Sequence, residues 1–184
     1  MAHKFSTSYL ADSLAVFRVY KSLGERALAQ VADDQLQWAP DSESNSIAII
    51  VKHMAGNMRS RWPDFLTSDG EKPDRNRDSE FEEPPATREA LMQSWESGWR
   101  CLFAALEPLT DADLERTVYI RTEPHSVMQA INRQVAHYAY HVGQIVFLAK
   151  QLQSPSGLWV ALTIPRGKSR GFNSRVASGQ ASQR

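Results

Sequence analysis

Residues 126–153 read SVMQAINRQVAHYAYHVGQIVFLAKQLQ, and they carry the clearest helix signal in the chain. Ser126 and Gln129 have the spacing of a capping box, in which the serine hydroxyl and the glutamine side chain each satisfy a free backbone amide. The apolar residues that follow recur every three or four positions, as they do on one face of an α-helix. This stretch therefore predicts a long amphipathic helix that ends near Gln153.

Two histidines lie at the border of the apolar face of this helix. His137 and His141 are four residues apart, which places both imidazoles on one side of a helix. Two neutral imidazoles at this spacing can bind one metal ion. The pair also suits an ordinary solvated surface, because the run lacks the internal glutamate of the zinc-peptidase motif. Spacing alone leaves both interpretations open.

A third histidine lies in a second amphipathic segment, which predicts a helix over residues 47–67. Asn45 or Ser46 can cap its start, and Pro63 is expected to kink its last turn. His53 lies on a polar stripe that is offset from the apolar residues in the same rotational sense as on the later helix. If the two helices packed together, the three histidines would meet and leave a coordination position open for chemistry.

Two further segments complete a set of four long helices. Residues 5–32 carry apolar residues at helical spacing without an interrupting proline, and Thr87 can cap a helix over residues 88–106. Residues 110–114 suggest one short helical turn. Residues 117–121 are locally strand-like, but so short a run cannot make a sheet alone. The predicted fold is therefore all-α, an antiparallel-type four-helix bundle.

Two segments fall outside the predicted helices. Residues 70–85 are dense in charge and proline and are expected to form a long loop between the second and third helices, and such loops are often functional or disordered. Residues 154–184 contain five basic residues and no acidic one. We therefore expect a bundle over residues 1–153 and a C-terminal extension over residues 154–184. The extension is expected to pack through its apolar residues 158–164 and to be flexible beyond them.

The composition restricts the classes of partner. A chain of 184 residues can bury one core but is too short for two full domains. Its 21 basic and 21 acidic residues give no net positive charge to attract nucleic acid or an anionic membrane. No stretch resembles a signal peptide or a membrane span. The single cysteine, Cys101, excludes an intrachain disulfide and fits a reducing compartment. We therefore expect a cytoplasmic protein with no nucleic-acid or membrane partner.

The histidine of the second helix and the run His137-Tyr-Ala-Tyr-His-Val-Gly-Gln144 resemble the DinB-like metal-binding four-helix bundles. This superfamily includes bacillithiol transferases and mycothiol-dependent maleylpyruvate isomerases. The similarity covers about residues 5–153. Residues 46–72, 75–78 and 164–169 are similar to a narrower, functionally uncharacterised branch.

The resemblance implies a metal site and an assembly. A divalent metal, often zinc or nickel, would be bound by His53, His137 and His141, with open positions for water or a thiolate. Members are frequently homodimers, so a homodimer is expected here.

Four neighbouring residues are candidates for a supporting role. Asn57, Tyr140 and Gln144 are predicted to orient metal ligands or substrate, although each also suits an ordinary surface or packing role. Arg77 belongs to the loop that carries the narrower resemblance. That loop is predicted to cover the cleft and bind an anionic group, or alternatively to be a salt-bridged lid with only a structural role.

Two functions follow from these observations. The first is a metal-dependent enzyme that acts on a small molecule, either by transferring a low-molecular-weight thiol to an electrophile or by hydrolysis with metal-activated water. Thiol transfer is the preferred hypothesis because members of the DinB-like superfamily perform it. The alternative is a non-catalytic helical protein with a structural metal, which serves self-association or stress-related binding. Its motivation is the absence of a general base beside the histidine pair. A nucleic-acid accessory role would rest only on the basic tail.

Overall fold

Each of the four long helices begins at a hydroxyl side chain that caps it. The computed structural model describes residues 5–182, so the outer ends of the two predicted segments, 1–153 and 154–184, lie outside the described residues. The cap residues, Ser8, Ser46, Thr87 and Ser126, each accept a hydrogen bond from a backbone amide in the first turn. Such a bond satisfies one of the amides that a helix start leaves free. The helices are α1 (Tyr9–Leu28), α2 (Ile47–Arg61), α3 (Arg88–Leu106) and α4 (Val127–Gln153).

Two helices are shorter than the periodicity predicts. α2 ends at Arg61 instead of continuing as a kinked turn, because Pro63 has no backbone amide to donate to a carbonyl of the preceding helical turn. α1 ends at Leu28, where Arg88 at the start of α3 donates to the carbonyl oxygen of Leu28 at 3.0 Å and to that of Val31. At the end of α1, hydrogen bonds from another helix therefore take the place of further helical turns.

The apolar faces of the helices share one core. α2 packs along α3, α1 packs along α4, and α2 also contacts α4. Gly98 lets α2 and α3 approach closely, because a Cβ there would lie 2.9 Å from the Cα atom of Ala55. At the centre, Phe17 makes edge contacts with Trp62 and Trp99 at centroid distances of 6.5 and 6.4 Å. Aromatic pairs in this geometry stabilise a core beyond the area they bury.

A small hairpin corrects the prediction of an all-α fold without a sheet. β1 (Thr117–Ile120) pairs with β2 (Glu123–Ser126) in an antiparallel sheet that places Thr117 opposite Ser126. Arg121 and Thr122 at its tip have φ angles of 54° and 66°, and the carboxylate of Asp69 accepts hydrogen bonds from both backbone amides. The structure is therefore mostly helical with one two-stranded sheet. Asp69 supplies the support for the tip from a distant part of the chain.

The chain after α4 continues across the helices. Trp159 and Leu162 are half-buried against the core. The side chain of Gln30 exchanges two hydrogen bonds with the backbone of Val160, at 2.7 and 3.0 Å. Beyond this contact, in the part predicted to be flexible, residues Ser169–Ala177 form helix α5, in which no residue is buried. Within residues 5–182, none of the helices has the length and apolar character needed to cross a membrane.

Candidate metal centre

Three histidines meet where α2 packs on α4. His53 comes from α2, and His137 and His141 come from successive turns of α4. The Nε2 atom of His137 lies 3.3 Å from that of His53 and 3.0 Å from that of His141. One nitrogen of each ring lies within 4.8 Å of the other two, so the cluster could hold a metal ion. The structure thus brings together all three histidines that the sequence predicts as ligands.

The spacing of these nitrogens suits a small divalent cation. A tetrahedral zinc ion, with Zn–N bonds of about 2.0–2.1 Å, keeps its nitrogen ligands about 3.3 Å apart. The two measured distances, 3.0 and 3.3 Å, are close to that value. Without a cation, the same arrangement brings nitrogen lone pairs together unless a proton lies between them. The chemistry of the donor set therefore fits a metal.

The environment keeps two of the imidazoles neutral. Burial lowers the pKa of His137 to about 3, and the nearby histidines and arginines add to this effect. Burial likewise lowers the pKa of His141 to about 4, although its hydrogen bond with Gln144 acts in the opposite direction. Because metal ligation requires the neutral ring, both side chains are ready to bind at neutral pH.

Gln144 orients His141. The Oε1 atom of Gln144 lies 2.8 Å from Nδ1 of His141, and a carboxamide oxygen can only accept. Nδ1 therefore carries the proton, and the lone pair of Nε2 points into the cluster. The other end of the carboxamide donates to the hydroxyl of Tyr140 at 3.1 Å. This second bond fixes which end of Gln144 faces the histidine.

Glu80 orients His53 in the same way. Its Oε2 atom lies 2.8 Å from Nδ1 of His53, on the side of the ring away from the cluster. Arg75 holds this carboxylate with two bonds, from Nε to Oε1 at 2.8 Å and from Nη2 to Oε2 at 2.9 Å. Burial would raise the pKa of Glu80, but the hydrogen bonds from His53 and Arg75 outweigh it and lower the pKa. An ionised acceptor at Nδ1 leaves Nε2 of His53 free as a ligand.

Phe81 covers the ring of His53, and Arg77 covers Phe81. The rings of His53 and Phe81 lie 4.6 Å apart at an angle of 30°. The guanidinium of Arg77 lies 4.9 Å from the centre of the Phe81 ring. Its Nη1 atom lies 3.9 Å from Oδ1 of the exposed Asp78. The predicted anion-binding Arg77 is thus placed on the outer face of the aromatic ring that shields His53.

Asn57 belongs to the packing beneath the cluster. Its Oδ1 atom accepts a hydrogen bond from the hydroxyl of Tyr138 at 3.0 Å, and that hydroxyl accepts one from Nε1 of Trp62 at 3.1 Å. Burial raises the pKa of Tyr138, so its hydroxyl remains a neutral donor. These bonds join α2 to α4 next to the histidines.

Glu80 and Phe81 have no counterpart among the residues predicted from sequence. They lie in a 3₁₀ turn, Asp78–Phe81, within a segment that shows no helical or strand periodicity. The His137–His141 run contains no acidic residue, whereas Glu80 contacts His53 from 27 positions further along the chain. Only the acidic density of residues 78–83 hinted at such a role.

A cleft of about 530 Å³ is bordered by Tyr140 and Gln144 of α4, and none of the three clustered histidines lines it. Tyr140 and Gln144, which are joined by a hydrogen bond, form part of its wall. Its lining includes Glu43, Asn45, Ile50, Tyr140, Gln144 and Phe147. A space of this size is typical of small-molecule sites.

Comparison with known proteins gives one family. The family model described as "Protein of unknown function (DUF1572)" matches residues 4–168. The matched region contains the three histidines, Glu80 and the walls of the cleft, and it ends directly before α5. No curated protein matches the chain.

Proposed function

We propose that this chain, which belongs to the DUF1572 family of proteins of unknown function, is a divalent-metal-dependent enzyme that acts on a small molecule. The observation that carries the proposal is the convergence of Nε2 atoms from His53, His137 and His141 at distances of 3.0 and 3.3 Å. Glu80 and Gln144 hold the Nδ1 atoms of two of these rings at 2.8 Å. Partners of this kind are a regular feature of metal-binding histidines.

In this proposal, α1 to α4 form an antiparallel four-helix bundle of the DinB-like kind. Support comes from the lengthwise packing of α2 on α3 and of α1 on α4. The resemblance of the histidine motif to that superfamily adds to it. The same resemblance supports a homodimer, which sedimentation analysis of the purified protein would test.

The three imidazoles would hold zinc or nickel, as the resemblance implies. When bound, such a cation supplies Lewis-acid activation, which lowers the pKa of a thiol or of water. Three protein ligands leave a position for the molecule to be activated. The chain contributes the preorganised rings, because Glu80 and Gln144 remove the rotational freedom of His53 and His141.

The cleft that Tyr140 and Gln144 border is the proposed substrate site, because Gln144 also contacts the proposed ligand His141. Of the residues that line it, Glu43 is the one with a charged side chain, and Tyr140 and Phe147 expose aromatic surface. This lining favours a substrate with an uncharged apolar body.

Thiol transfer is the leading reaction, with hydrolysis as the second. In thiol transfer, a low-molecular-weight thiol gives its proton to solvent, and its sulfur forms a bond with an electrophilic carbon that loses a leaving group. This reaction needs activation of the thiol and proximity of the two reactants, but no additional base. It therefore suits a centre whose buried carboxylate, Glu80, is already engaged by His53 and Arg75.

A structural metal in a non-catalytic protein is the alternative. One observation favours it: Glu80 contacts His53 on the side of the ring opposite to the cluster, where it cannot take a proton from a bound molecule. Under this alternative, loss of the metal would lower the stability of the protein and change no turnover.

Metal content measured by elemental mass spectrometry tests the proposal. The wild type should carry about one zinc or nickel per chain, and His137→Ala should carry none while remaining folded. His125→Ala is the matched control, because His125 lies in β2 and contacts the backbone of Glu123 rather than the cluster. A wild type that binds neither metal, even when zinc or nickel is added, would overturn the proposal.

An activity screen separates the two functions. Thiols and electrophiles are incubated with metal-loaded wild type and with His137→Ala, alongside ester and amide substrates for hydrolysis. Product formation that requires both the metal and His137 would support the enzymatic function. A folded His137→Ala variant with lowered stability, together with no metal-dependent product in the wild type, supports the structural alternative.

A further inference from the structure

We infer that Glu80 is a positioning residue for His53 and that the absence of a side chain at Gly56 leaves the space for the Glu80 carboxylate. The strap, defined as residues 69–83, then contributes to metal binding and does not only connect α2 to α3. This inference rests on the proposed function, because it assumes that His53 binds a metal.

The carboxylate of Glu80 is held in one place from several sides. The residue is only 6% exposed. His53 contacts Oε2, and Arg75 contacts both oxygens. Arg75 is held in turn by Glu71, whose Oε2 atom accepts from Nη1 at 2.8 Å. Four side chains therefore form a continuous path from the surface of the strap to the ring of His53.

Gly56 provides the space that this carboxylate occupies. Gly56 lies three residues after His53 on α2, so the two positions share a helix face. A Cβ atom at Gly56 would lie 2.5 Å from Oε1 and 2.7 Å from Cδ of Glu80. Any side chain at this position would push the carboxylate away from α2. Glycine is otherwise unfavourable in the interior of a helix, so its presence here has a specific steric reason.

The strap has a second anchor that does not involve Glu80. The ammonium group of Lys52 donates to the carbonyl oxygens of Ser79 and Glu82, both at 2.6 Å, and to that of Glu83 at 3.2 Å. These bonds hold the 3₁₀ turn and the two residues that follow it against α2. Changes at Glu80 or Gly56 are therefore expected to move one carboxylate and leave the strap in place.

The effect of Glu80 acts through the ring of His53. A carboxylate at Nδ1 keeps the proton on that atom, fixes the rotation of the ring, and makes Nε2 a better electron donor. Loss of such a partner lowers metal affinity about 10-fold to 100-fold. Gly56→Ala should have an effect in the same range, because the added methyl displaces the carboxylate from Nδ1.

The test is a competition titration of metal-free protein with zinc against a chromophoric chelator. It compares wild type, Glu80→Gln and Gly56→Ala. The matched control is Glu82→Gln, which removes an exposed carboxylate from the same strap and keeps the contact of Glu82 with Lys52, because that contact is made by the backbone carbonyl oxygen. Absorption spectra of the cobalt-loaded proteins report the ligand field at the metal directly, which a general loss of stability would not shift.

The expected result is a loss of affinity of about 10-fold to 100-fold in Glu80→Gln and Gly56→Ala. Their cobalt spectra should shift, whereas Glu82→Gln should keep the affinity and spectrum of the wild type. Equal affinity and equal spectra in all four proteins would overturn the inference and leave the proposed metal site intact. A wild type that binds neither zinc nor cobalt would instead overturn the proposed function itself.

Discussion

The Nδ1 atom of His53 lies 2.8 Å from the Oε2 atom of Glu80, although 27 positions separate the two residues in the chain. The strap lies against α2 so that an acidic side chain reaches the outer side of a histidine whose inner side faces two others. His141 has the corresponding contact with Gln144, also at 2.8 Å. One ring is thus oriented by a distant carboxylate and another by a carboxamide on its own helix.

Gln144→Ala should weaken metal binding without unfolding α4. The substitution removes the acceptor at Nδ1 of His141, which allows the ring to rotate and to change tautomer. We expect a loss of zinc affinity of about 10-fold to 100-fold, measured by chelator competition. Tyr140→Phe is the matched control, since it removes the hydroxyl that Gln144 contacts but keeps the Gln144 acceptor and the aromatic ring 4.6 Å from that of His141. Equal losses in both variants would contradict the assigned role of Gln144.

The stability of the metal-free protein should fall as the pH is lowered below about 6.5. Unfolded histidines bind protons near pH 6.5, whereas folded His137 and His141 have pKa values of about 3 and about 4. Between these values the unfolded chain binds more protons than the folded chain, so the free energy of unfolding decreases as the pH decreases. Above pH 6.5 this contribution is fully present.

Urea denaturation in the presence of a chelator, repeated between pH 7.5 and about pH 5, measures this dependence. A variant that carries both His137→Asn and His141→Asn should show a shallower decline over the same range. If the wild type and the double variant decline in parallel, the two imidazoles are not the groups responsible.

Two helix glycines should respond in opposite directions to alanine. A Cβ at Gly143 would have no neighbour within 4 Å, so Gly143→Ala should raise the stability by about 0.5–1 kcal/mol through backbone entropy. A Cβ at Gly98 would lie 2.9 Å from Cα of Ala55, which is backbone and cannot rotate away. Gly98→Ala should therefore cost about 1–3 kcal/mol.

Thermal unfolding of the metal-free proteins separates these cases. A change of about 1 kcal/mol in the free energy of unfolding shifts Tm by about 2–4 °C in a chain of this size. A Gly98→Ala variant as stable as the wild type would mean that α2 and α3 do not approach as closely as the structure describes.

Asp69→Ala should destabilise the tip of the hairpin. Asp69 accepts hydrogen bonds from the backbone amides of Arg121 and Thr122, at 2.8 and 2.7 Å, and from that of Glu71 at 2.7 Å. Removing these acceptors should cost about 1–3 kcal/mol and should increase amide hydrogen exchange at residues 121 and 122. The exposed Asp74 in the same strap provides the control variant, Asp74→Ala. Unchanged exchange at the tip in Asp69→Ala would contradict this role.

Capping patterns predicted the helices better at their starts than at their ends. Ser46, Thr87 and Ser126 cap α2, α3 and α4 as the sequence indicates, because a cap is a local interaction between residues two or three positions apart. The end of α1 depends on Arg88, which contacts the carbonyl of Leu28 from a different helix. No pattern near residue 28 contains that information.

The hairpin and Glu80 were missed for the same reason. The tip residues, Arg121 and Thr122, lack the Asn-Gly or Asp-Gly signature of a tight turn, and their positive φ angles are supported by Asp69. Glu80 reaches His53 because the strap lies against α2. In both cases the residue that makes the deciding contact, Asp69 or Glu80, lies in the strap, which shows no periodicity. The conformation of such a loop is set by its contacts with the rest of the protein.

By itself, the sequence determined the four long helices, the faces on which they pack, and the three histidines on the polar borders of two of those faces. These features depend on repeats of three and four residues, which the helix converts directly into sides of a cylinder. Only the tertiary structure decided that the three Nε2 atoms converge, that Glu80 and Arg75 support His53, and that residues 117–126 form a hairpin. Those features depend on contacts between residues far apart in the chain, whose distances are set only when the helices pack and the strap folds over α2.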